Sequence, residues 1–123
     1  MEINVFTLQS KLQVDKKTII RLVKKIIREE KYHLNILNII IADNNHLKKL
    51  NRMFLKQNSP TNVISFNFGD VSEIYVSADK AKTHREVYYF IAHGLLHIIG
   101  YNHQKRKQEK LMEDKCSYYV SVL

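Results

Sequence analysis

The chain has 123 residues, 45% of them hydrophobic, and one cysteine, Cys116. That is enough for one domain spanning residues 1–123; it excludes an intramolecular disulfide, and no apolar run reaches the ~18 residues a membrane-spanning helix needs. Twenty Lys and Arg against 12 Asp and Glu leave a net charge of +8, which favours a polyanionic partner, most simply a nucleic acid, although a composition so rich in Lys, Asn and Ile also follows from biased codon usage.

Met1-Glu2-Ile3-Asn4 offers no basic region followed by an apolar stretch, so no secretory signal is expected and the chain reads as cytoplasmic. Ile3 to Thr7 is a short apolar strand. Asp15 is placed to cap a helix whose Ile19, Ile20, Leu22, Val23, Ile26 and Ile27 share one face, with Lys and Arg opposite. Leu34 to Ala42, rich in β-branched residues, reads as a buried strand. Asp43 begins a second helix, with Leu47, Leu50, Met53 and Phe54 turned inward. It ends before Asn58-Ser59-Pro60, which holds the only proline.

Val63 to Phe66 and Ile74 to Ser77 are two further strands. The Gly69-Asp70 turn between them is short enough to make them an antiparallel pair. Thr83-His84-Arg85-Glu86 fits a capping box, in which Thr83 and Glu86 each cap the other's free donor. The helix it opens is apolar nearly all round, as a helix at the centre of a domain is. From about Gln104 to Tyr119 the pattern gives a last, basic helix. The expectation is an α/β or α+β domain: a roughly four-stranded mixed sheet with four to five helices, and a metal site on the central helix.

That site is read from His93-Gly94-Leu95-Leu96-His97-Ile98-Ile99-Gly100-Tyr101-Asn102-His103. His93 and His97 are i and i+4, roughly 40° apart on one helical face, so two imidazoles can converge on one ion. Gly100 ends the helix, and the returning chain carries His103 back as a third nitrogen donor. Three such donors with a fourth position open mark a catalytic zinc site, one Zn2+ per chain, although imidazole also suits nickel, copper and iron. The spacing matches metzincin proteases too, but those carry Glu after the first His as general base, and here that position is Gly94. With a net positive charge, phosphodiester is favoured over peptide as substrate.

The string H-G-L-L-H-I-I-G-Y-N-H resembles the signature of the YbeY family of bacterial endoribonucleases, close to H-G-x-L-H-L-x-G-Y-D-H. Upstream, Leu50-Asn51-Arg52 followed by Pro60-Thr61-Asn62-Val63-Ile64-Ser65-Phe66 resembles the family's L-N and P-T-[DN]-V-[LI]-S-F segments, in the same order and at the same separation. The resemblance covers essentially the whole chain. It implies a small α/β metalloprotein with zinc on His93, His97 and His103. It also implies an endoribonuclease for single-stranded RNA, acting at the 3′ end of small-subunit rRNA and in ribosome quality control. Its partners would be the small ribosomal subunit and the assembly factors on it.

Two departures bear on catalysis. Leu55 stands where many members have an arginine, a candidate phosphate contact, and an isobutyl group offers no charged fork; neighbouring Arg52 or Lys56 are possible stand-ins. Asn102 replaces the aspartate before the third histidine and can only hydrogen-bond. Glu73 sits near the position of a family aspartate and is a candidate carboxylate, with Glu113 an equal alternative as general base. Thr61 and Ser65 are candidates to bind the RNA backbone, and Lys105, Arg106 and Lys107 to track phosphates. Lys16, Lys17, Lys24 and Lys25 read as a solvated face of the first helix. A non-catalytic, RNA-binding assembly factor with a structural metal is the alternative, and a metal peptidase is disfavoured by Gly94.

Overall fold

A computed structural model describes residues 1–54, 61–101 and 106–123. Among them are β1 (Glu2–Thr7), α1 (Lys16–Glu30), β2 (Ile36–Ala42), α2 (Asn44–Phe54), β3 (Val63–Asn67), β4 (Val71–Ser77), α3 (His84–Ile99) and α4 (Arg106–Ser121). The four strands form one mixed sheet in the order β1-β2-β4-β3. β1, β2 and β4 run parallel, and β3 pairs antiparallel to β4 at the edge. This is an α+β fold in one domain.

Strand alternation decides what each sheet face meets. Leu37, Ile39, Ile41, Ile74 and Val76 turn to the face covered by α1 and α3, and with Ile19, Leu22, Val23, Ile26, Ile91, Leu95 and Leu96 they build the main core. Ile40, Ala42 and Ile64 turn to the other face and pack on Leu47 of α2. α3 touches both strands of the β3–β4 pair as well as α1 and α4, which makes it the central helix the sequence pattern predicts.

The caps explain where helices start. The Asp15 carboxylate accepts from the Thr18 N–H at 3.2 Å, and Asp43 from the His46 N–H at 2.9 Å. At α3, Thr83 Oγ1 accepts from the Glu86 N–H at 3.2 Å. The reciprocal half of the expected box is displaced: Glu86 Oε2 accepts from the N–H of Lys82, one residue further back, at 3.2 Å. Gly100 ends α3 at φ 125°, its N–H donating back to the carbonyls of Leu96 and His97.

α2 departs from the expected inward set. Leu47 and Asn51 are buried, while Met53 and Phe54 are 59% and 57% exposed. Met53 lies about 240° around the helix from Leu47 and so faces solvent. Phe54 shares Leu47's face but meets the edge strand, ring edge to Phe66 at 5.4 Å. No described helix is long and apolar enough to cross a membrane.

Candidate metal centre

α3 presents Tyr89, His93 and His97 at successive four-residue steps, a single stripe along the helix. Both histidines are half-buried. Their ring centres are 4.9 Å apart and their planes 52° from parallel. Two imidazoles each bound through a nitrogen to one tetrahedral zinc, at about 2.0–2.1 Å, have ring centres about 5 Å apart. In donor chemistry and in separation the pair therefore fits half of a zinc site. Among the described residues no group of three or more His, Cys, Asp or Glu converges as a ligand set. His103, the third donor read from the sequence, lies outside the described residues.

The histidines open into a recess of about 510 Å³ between α3 and the edge strand β3, with α4 along one side. Thr61 and Ser65 line it from the β3 segment, Tyr89 and Phe90 from α3, and Glu113 from α4. Gly94 lines the recess where α3 lies very close to the sheet: a Cβ there would come 2.9 Å from Ile74 Cγ2 and 3.1 Å from Val63 Cγ2. Burial raises the Tyr89 phenol above its ordinary pKa, and neighbouring Cys116 and Glu113 raise it further, so at neutral pH it stays a proton donor.

The sequence profile described as Endoribonuclease YbeY matches residues 4–123. The chain belongs to the YbeY family. The Endoribonuclease YbeY of Petrotoga mobilis is 30% identical over 100% of this chain and 96% of its own length. That of Acholeplasma laidlawii is 32% identical over 91% of this chain and 89% of its own. The Carboxydothermus hydrogenoformans protein of the same name is 26% identical over 97% and 95%. The solution structure of TM1509 from Thermotoga maritima superposes with a TM-score of 0.61 at 26% identity, over 96% of this chain and 86% of that one.

Against that family pattern the structure sorts the residues the sequence singled out. It brings His93, His97, Thr61 and Ser65 to one recess. It does not bring Glu73 there. Glu73 alternates with Ile74, which faces Gly94 of α3, so it turns to the opposite face of the sheet, where the Tyr75 hydroxyl donates to it at 3.0 Å. The carboxylate in the recess is Glu113. Arg52 is exposed in the last turn of α2 and is not among the residues lining the recess. Arg106 and Lys107 line a neighbouring depression of about 730 Å³ that shares Glu113 with the recess. Leu55, Lys56, Asn102 and Lys105 lie outside the described residues.

The sequence pattern singles out neither Tyr89 nor Phe90 for the recess. Tyr89 carries a usable signal, its four-residue step before His93. Glu113 carries a weaker one: it is two turns into α4 from Arg106, on a helix predicted to follow the histidine motif.

Proposed function

We propose that this chain is a zinc-dependent endoribonuclease specific for single-stranded RNA. Its work would be maturation of the 3′ end of small-subunit rRNA, and ribosome quality control, in the cytoplasm. It would act on the small ribosomal subunit alongside assembly factors. The observation that carries the reading is the His93–His97 pair, spaced for one ion and facing a recess shared with Thr61, Ser65 and Glu113, in a chain of an endoribonuclease family.

His93, His97 and His103 would hold one zinc per chain, and when bound it supplies Lewis acidity: it acidifies a water and polarises a phosphoryl oxygen. The rest falls to the chain's own groups. The recess has the size of a small-molecule pocket, so it takes a nucleotide of a single strand rather than a paired helix. The Thr61 and Ser65 hydroxyls donate to the RNA backbone and hold the phosphate in register. Glu113 accepts the proton of the attacking water and returns it to the departing ester oxygen as the P–O bond breaks. Tyr89, kept neutral, donates a hydrogen bond to the substrate. Arg106 and Lys107 draw flanking phosphates toward the recess.

The test begins with metal content. Protein purified without chelator or histidine tag is expected to hold about one zinc per chain, and His97→Ala to lose it. Cleavage of single-stranded RNA by the parent is expected to stop with chelator and in His97→Ala. Glu113→Gln should keep the metal while losing about 10²-fold or more in kcat, the usual contribution of a positioned proton acceptor. RNA binding without cleavage by a folded, zinc-loaded parent would instead leave the assembly-factor reading standing.

A further inference from the structure

The polar side of α1 carries Lys17, Arg21, Lys24 and Arg28 at steps of four, three and four residues. Such steps lie on one helical face, and at 1.5 Å per residue the stripe runs about 16 Å. None of the four makes an ion pair among the described residues; Lys25 beside them is held by Glu29 at 2.8 Å. Like charges three and four residues apart repel along a helix, so the arrangement costs the fold something in isolation.

All four are exposed, as the sequence reading of a solvated face expects for Lys17 and Lys24, but the stripe also borders a concavity. It lines a groove of about 520 Å³, together with Lys25 and Ile20 of α1 and with Val122 and Leu123 after α4. The groove shares no lining residue with the histidine recess. Its cations are fixed in register because the opposite face of α1, Ile19, Leu22, Val23 and Ile26, is locked into the core. That burial also argues against a bilayer as the partner, since α1 has no free apolar face to insert.

We propose that the α1 groove is a second RNA-binding site, one that grips the phosphate backbone of the substrate at a distance from the cleavage recess. It rests on the nuclease reading for the identity of the polyanion. A groove of fixed cations neutralises successive phosphates and releases their counterions, giving affinity without base specificity.

The experiment compares the parent with a Lys17→Gln, Arg21→Gln, Lys24→Gln, Arg28→Gln variant. Binding to a long single-stranded RNA is measured across a salt series, and cleavage of that RNA beside a short oligonucleotide. Each phosphate left without its cation lowers the slope of log affinity against log salt by about 0.7 for a single strand, so the expected fall is up to about 3, with affinity at low salt down about tenfold or more. KM for long RNA rises, while kcat on the short oligonucleotide is unchanged. Swapping Lys for Arg and Arg for Lys at the four positions keeps the charge and should restore the slope, which separates a missing site from a damaged fold. An equal fall from Lys48→Gln, Lys49→Gln, Lys80→Gln and Lys82→Gln together would reduce the effect to net charge and overturn the proposal. So would an unchanged slope in a parent that cleaves RNA, or binding to anionic vesicles that outcompetes RNA and is abolished in the variant. A parent that neither binds nor cleaves RNA overturns the nuclease reading itself and this site with it.

Discussion

Gly94 carries two meanings, and the structure separates them. Read in sequence, it is the place where a protease would keep its catalytic glutamate. In the fold it is where α3 comes closest to the sheet, with Ile74 and Val63 methyl groups at 2.9 Å and 3.1 Å from any added Cβ. Both neighbours are β-branched strand residues, and Ile74 is fully buried, so neither gives way easily. Gly94→Ala therefore sets an overpacking cost of about 1–3 kcal/mol against about 1 kcal/mol of recovered helix propensity. A net loss of about 1 kcal/mol is expected from urea unfolding; a more stable variant would show that α3 can lift off the sheet at no cost. Cys116, behind α3, gives a second outcome at this scale. Burial foremost, then the carboxylate of Glu113, pushes its thiol up to about 12. The folded protein should resist thiol reagents at pH 8 and react once unfolded, and stoichiometric labelling of the native chain would contradict the burial.

The elements are legible in proportion to how local their causes are. Asp15 and Thr83 cap the helices they are expected to cap, and Asp43, expected to begin α2, caps it, because a capping oxygen and its donor lie within three residues. The hairpin of β3 and β4 follows from a short connection, its Phe68 N–H donating to the Val71 carbonyl at 2.9 Å. Periodicity marks a face but not how far the facing sheet extends, which is why Phe54 is expected in the core and found at its margin. The same limit hides the choice between Glu73 and Glu113. Alternation puts Glu73 opposite Ile74, yet only packing decides which of the two faces α3. The cap at the end of α1 is also silent, since Lys31 takes a left-handed conformation, φ 54°, that sequence assigns to glycine. It is exposed, and its N–H bonds back to Arg28 at 3.3 Å. Lys31→Gly should raise stability by about 0.5–1 kcal/mol in denaturant unfolding, by removing the Cβ strain of that conformation. A loss instead would mean that the lysine side chain contributes more than its backbone costs.

At the scale of the whole molecule, the mixed sheet and central helix follow from pattern, whereas the order β1-β2-β4-β3 does not, because strand order is set by long-range packing. One such long-range link binds three helices through a single carboxylate. Glu30, the last residue of α1, has a side chain only 6% exposed. It accepts from the Tyr101 hydroxyl at the end of α3 at 2.6 Å, from Lys115 Nζ of α4 at 2.9 Å, and from the Tyr119 hydroxyl. Burial alone would raise its pKa; the hydrogen bonds from Tyr101, Tyr119 and Lys115 and the Lys115 charge together outweigh burial and hold it below the ordinary glutamate value. A carboxylate depressed in this way stabilises the fold fully above its unfolded pKa of about 4.3 and ceases to do so as pH falls through its lower folded value. Unfolding free energy measured from pH 6 downward should therefore decline below about pH 4.5, and the part of the decline owed to Glu30 should be absent in Glu30→Gln. At pH 7 Glu30→Ala should cost about 2–4 kcal/mol, since it leaves two tyrosine hydroxyls and an ammonium without their acceptor, and Glu30→Gln less, because its amide oxygen still accepts. If Glu30→Gln instead kept the full acid slope, the depressed carboxylate would not be what joins α1, α3 and α4, and the linkage would have to be sought in their apolar packing.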